Sequence, residues 1–119
     1  MPYVDGFVLV VPKRNIKAYA KIAKAAGVVW KDHGALEYRE CVGEDMKVPC
    51  GVPFPKLAGV KAGETVVFSW IVYKSRADRD KVNKKVMADP RMNEMMKGKK
   101  MPFDINKMAF GGFEVLVDM

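Results

Sequence analysis

The nine residues Thr65 to Tyr73, TVVFSWIVY, restrict the fold more than any other stretch of the chain. They read as a strand because β-branched and aromatic side chains suit an extended, packed surface. Alternate side chains of a strand share a face. Val66, Phe68, Trp70 and Val72 therefore form one row, and Val67, Ile71 and Tyr73 occupy the other. A sheet with one wet face alternates apolar and polar residues. This strand does not, and neither does Met108 to Val117, MAFGGFEVLV, near the end of the chain. A sheet built from such strands needs cover on both sides.

The remaining segments say what supplies the first cover. Tyr3 to Val11 is a β-rich run stopped by Pro12, and Asn15 is placed to cap a helix from Ile16 to about Lys31. Ile16, Tyr19, Ala20, Ala23, Ala26 and Trp30 make its apolar stripe. Gly34 ends that segment, and Ala35 to Val42 alternates as a strand. Residues 43 to 64 carry four glycines and three prolines without either period, which predicts one long ordered loop pinned by Phe54, Leu57 and Val60. Ser75 and Asp78 resemble a capping box for a second helix reaching Ala88 through Val82 and Val86, broken at Asp89-Pro90. A methionine-rich turn, RMNEMMKGKK, and the loop MPFDINK lead to the last strand. Strand-helix-strand twice over predicts a single α+β domain over residues 1–119, a ferredoxin-like βαββαβ with a four-stranded antiparallel sheet and both helices on one face. A second copy of the sheet is the simplest cover for the other face, which predicts a homodimer.

Composition narrows the functional classes. No apolar run approaches the roughly 20 residues of a membrane helix, and the N-terminus lacks the basic region and cleavage site of a signal peptide. Cys41 and Cys50 lack paired CxxC spacing and read as reduced thiols of a cytoplasmic protein. With His33 they make only three Cys/His ligands, where a structural zinc wants four, so no metal is expected. No GxGxxG or GKS/T stretch is present, and no cofactor is expected. The formal charge of +7 raises nucleic acid as a partner through Lys17, Lys21 and Lys24 or Lys81, Lys84 and Lys85. No aromatic row is interleaved with those lysines to stack bases, so a solvated surface is the preferred reading.

Four blocks, PYVDGFVLVVPKRNIKAY, GALEYRECVGED, ETVVFSWIVYKSRADRDKVNKKVMADPRM and MPFDINKMAFGGFEVLVDM, resemble the signature blocks of the YbaA-like family, domain of unknown function 1428. The resemblance spans nearly the whole chain. It implies a dimeric α+β barrel, two ferredoxin-like protomers with their sheets face to face. The wider superfamily includes cofactor-independent monooxygenases, haem enzymes and small-molecule isomerases. The family carries no established reaction, so the resemblance brings no catalytic residues.

Strand parity supplies candidates. With the bulky row of Val66, Phe68 and Trp70 taken to face the helices, together with Leu36, Tyr38 and Val42 and with Val4, Val8 and Val10, the opposite face collects Asp5, Phe7, Leu9, Glu37, Arg39, Cys41, Ser69, Tyr73, Phe110 and Glu114. An apolar cavity with a few converging polar groups is the usual form of a small-molecule site. Asp5, Phe7, Glu37, Arg39, Ser69, Tyr73 and Phe110 are thus the candidate ligand-binding residues, and His33, Glu37, Arg39 and Glu114 the candidate catalytic ones. Arg39 is the expected partner of the buried carboxylates; an ion-pair network across the dimer without any ligand is the competing reading. Gly111-Gly112 offers a bulge that would shift parity in the last strand. His33, the single histidine, reads either as a cap at the end of the first helix or as a base or ligand donor at the pocket rim.

Overall fold

Ten residues of β1 (Tyr3–Pro12) pair antiparallel with ten of β3 (Glu64–Tyr73), and the partner strands flank them. β2 (Glu37–Val42) adds to β3 and β4 (Ala109–Glu114) to β1, giving the sheet order β2-β3-β1-β4 expected of a ferredoxin-like fold. The computed structural model describes residues 1–98 and 100–119. A 3-10 turn, Lys13–Asn15, leads into α1 (Ile16–Asp32); α3 (Arg76–Ala88) and the short α4 (Pro90–Met96) follow β3. Among the described residues no helix is long and apolar enough to cross a membrane.

The helices cover one face. Tyr19, Ala23, Gly27 and Val29 are the buried residues of α1, whereas Ala20 is exposed. Val82 and Val86 anchor α3, and the Ser75 side chain accepts from the Asp78 amide as its capping pattern predicts. Two apolar clusters result, one around Ile71, Tyr73, Val29 and Val86, the other around Leu9, Val11, Tyr19 and Val67. The row facing the helices is therefore Asp5, Phe7, Leu9 and Val11 with Val67, Ser69, Ile71 and Tyr73, the reverse of the parity taken from bulk. Bulk misleads here because the Val66 row is dried by something other than the helices. Val66 and Val10 are buried on the far face, where Val66 and Met46 of the long loop both lie against Gly43 and Phe54 packs on Phe68 with ring centroids 5.9 Å apart. Phe54 belongs to a helical turn inside that loop, α2 (Phe54–Ala58).

Local differences have local causes. Asn15 does not cap α1; its Nδ2 donates instead to the Pro102 carbonyl at 3.1 Å. The methionine-rich segment is the helix α4, because Asp89 accepts from the Arg91 amide and Pro90 at the first position needs no donor. No bulge interrupts β4, whose pairing with β1 runs unbroken from Glu114 to Ala109. Val115 to Val117 lie beyond the strand.

Candidate functional site

The face away from the helices is open at its centre. Val4, Gly6 and Val8 of β1, Phe68 and Trp70 of β3 and Phe113 of β4 bound a groove of about 610 Å3 with an almost wholly apolar lining. Phe68 is 43% exposed and Phe113 60%. The groove's length comes from register: Val4 sits between Val72 and Phe113, Gly6 between Trp70 and Gly111, Val8 between Phe68 and Ala109. Its only sequence-derived polar candidates are Glu37 and Arg39, on the adjoining strand β2 opposite Val72 and Trp70. Trp70 Nε1 donates to Glu37 Oε1 at 2.8 Å, and Arg39 Nε lies 3.9 Å from the same oxygen. Arg39 remains 62% exposed, so this ion pair contributes little to stability and its guanidinium is free to meet another anion.

The other candidates lie elsewhere. Asp5, Phe7, Ser69 and Tyr73 point into the helix side. Asp5 pairs with Arg79 at 2.6 Å and not with Arg39, and the Arg79 guanidinium stacks over the Tyr3 ring at 4.9 Å. The Tyr73 hydroxyl donates to Asn83 Oδ1 and accepts from Trp30 Nε1, both at 3.1 Å, a buried core contact. Phe110 stacks on Phe7 with centroids 6.0 Å apart and stays exposed at the groove's rim. Glu114 is exposed at the end of β4 opposite Tyr3.

His33 ends α1. Its backbone N–H bonds the Val29 carbonyl while Gly34, at φ 115°, makes the turn that only glycine adopts easily. The imidazole Nε2 sits 2.7 Å from Asp89 Oδ2, which also receives Arg91, and Arg91 reaches on to Asp32 at 2.8 Å. Hydrogen bonds from the Arg91 side chain, from His33 and from the Arg91 amide hold the Asp89 carboxyl well below the usual carboxylate range. The cluster fastens the end of α1 to the α3–α4 junction, away from the groove.

One polar group on the helix side escaped the sequence reading. Glu40 faces the helices opposite Ser69, and its two oxygens accept from Tyr19 at 2.7 Å and Tyr38 at 3.0 Å. Burial, and then the Glu40 charge, push both phenols far above the usual tyrosine range. The signal was present in the alternation of EYRECV, where Glu40 is the single acidic residue in the row of Tyr38 and Val42. Lys17, Lys21, Lys24, Lys81, Lys84 and Lys85 are exposed on α1 and α3, but Tyr19 of α1 is turned inward.

Residues 2–105 match the family described as "Protein of unknown function (DUF1428)". The uncharacterized protein YbaA of Escherichia coli (strain K12) is 47% identical over 120 residues, covering 99% of both chains, and YbaA of Shigella flexneri matches equally. Among solved structures, a NIPSNAP family protein of unknown function from Agrobacterium tumefaciens superposes with a TM-score of 0.57 at 14% identity, covering 94% of this chain and 86% of that one. A dimeric ferredoxin-like protein from an uncultured marine organism superposes with a TM-score of 0.50 at 16% identity, covering 100% and 98%. At such identities these two establish the fold alone. The family match and the full-length likeness to YbaA place the chain in the DUF1428 family of proteins of unknown function.

Proposed function

We propose that the chain works as a homodimer whose open sheet faces close on one another, and that the groove between them binds a small organic molecule. The observation that carries this reading is the apolar groove, with the Phe68 ring exposed on a central strand and the Phe113 ring exposed on the edge strand β4. Monomers rarely expose contiguous apolar patches beyond a few hundred Å2. Covering such surface contributes on the order of 25 cal/mol per Å2, and the protein of like fold that is dimeric supports the same arrangement. Arg39, exposed at the groove's edge, favours a ligand with a carboxylate.

Static light scattering at micromolar concentration should return twice the 13.3 kDa chain mass. A clean monomer overturns the reading. A thermal-shift screen of aromatic acids then tests the ligand: a binder should raise the melting temperature in proportion to the logarithm of its concentration, and Arg39→Gln should abolish that rise. A dimer that no acid stabilises would leave a structural dimer with its groove filled by the partner's side chains.

A further inference from the structure

We infer that the pocket between α1 and the sheet is a second binding site, one for a small aromatic or aliphatic amine, with Glu40 as the group that receives the ammonium. This site is on the other side of the sheet from the open groove and shares Phe7 and Trp70 with it. The cavity measures about 150 Å3 and is walled by Phe7, Trp30, Tyr38, Trp70 and Phe103, with Ser69 and Glu40 as polar groups. Arg39 also borders it, but its guanidinium is 62% exposed and lies 3.9 Å from Glu37. A cavity of that order accommodates a benzene-sized molecule.

The ligand class follows from Glu40. A carboxylate offers about four acceptor positions, and the hydroxyls of Tyr19 and Tyr38 occupy one on each oxygen. Both donors are neutral. Among the described residues no ion pair involves Glu40, in contrast to Asp5 and Asp89, each of which holds an arginine. Glu40 is thus a half-buried carboxylate at an apolar wall with no cation paired to it among the described residues. An organic ammonium satisfies the free acceptor positions, and aromatic rings beside it attract a cation through their faces. The raised phenols keep Tyr19 and Tyr38 as protonated donors at neutral pH, so they hold the carboxylate in place without neutralising it. The surface charge of +7 repels cations at long range; discrimination for an amine therefore has to come from this one local contact.

Benzylamine, benzyl alcohol and benzoate share a ring and differ in charge, so they serve as probes. Binding is read by isothermal titration calorimetry on the wild-type chain, with light scattering on the same samples to track the dimer separately. Benzylamine should bind at least tenfold more tightly than benzyl alcohol, benzoate should not bind, and Glu40→Gln should erase the preference. Equal binding of all three probes, or no benzylamine binding to the wild-type chain, overturns the proposal whatever the oligomeric state. If Glu40→Gln fails to fold, Tyr38→Phe decides: it frees an acceptor position while keeping the charge, so benzylamine affinity should hold or rise. A loss there would show that the tyrosine, not the carboxylate, is the recognition element.

Discussion

Asp89 ties the end of α1 to the start of α4. It accepts from the Arg91 amide at 2.9 Å and from its guanidinium, and it meets His33 at 2.7 Å. Sequence reasoning saw Asp89-Pro90 only as a break, because the partner at His33 is 56 positions away and nothing local announces it. The imidazole belongs to this cluster, and His33 is the residue that closes α1. A depressed carboxyl makes the native state bind fewer protons than the unfolded chain between the two pKa values, so stability rises with pH across that window. The contribution of Asp89 should be complete above its ordinary value of 3.8 and fade as pH falls below it. Urea denaturation of wild type and Asp89→Asn should show a gap that is constant near neutrality and closes under acid. A gap that widened on acidification would mean that the carboxyl is not the charged partner in the cluster.

At the scale of elements, α1 lies tight on the sheet at Gly27, where an added Cβ would stand 2.8 Å from the Tyr38 ring. Alanine there gains about 1 kcal/mol of helix propensity but overpacks at a cost of about 1–3 kcal/mol. Because the ring is tethered through its hydroxyl to Glu40, it has little freedom to yield. Gly27→Ala should lower the urea midpoint without changing the slope, and a raised midpoint would show that α1 shifts outward freely. The strands and helices were legible in the sequence because each rests on local chemistry: Pro12 at the end of β1, Ser75 capping α3, the periodic stripe of α1. Which face of each strand met the helices was not, except in β2, where Tyr38 was placed on the helix side and Glu37 and Arg39 on the other. In β1 and β3 both rows are apolar, and the burial of Val10 and Val66 on the face away from the helices is invisible to periodicity. The same blindness hid the Glu40 pocket, since Tyr19 and Glu40 converge only once α1 lies on the sheet.

The whole molecule is a slab. Its radius of gyration is 15.1 Å and its extents are 40 × 38 × 20 Å, whereas a compact domain of this length has a radius of roughly 13.5 Å. One layer of helices on one sheet accounts for the thin dimension, and the open apolar face is the surface a second layer would occupy. Like-charge repulsion at +7 per chain opposes pairing, but it is spread over exposed side chains and screened beyond about 8 Å at physiological salt. The apolar contact is not screened. If pairing buries this face, native stability includes an association step, and the thermal midpoint must rise with protein concentration. Phe113 is 60% exposed at the groove's edge, so Phe113→Lys should leave the fold of one chain intact while removing that dependence and lowering the mass in solution to a single chain. Should the variant keep the concentration dependence, the contact lies elsewhere, with the exposed edge of β4 the next surface to test. A wild-type midpoint that does not move over a hundredfold dilution would mean that the sheet stands bare, and the barrel would have to be abandoned.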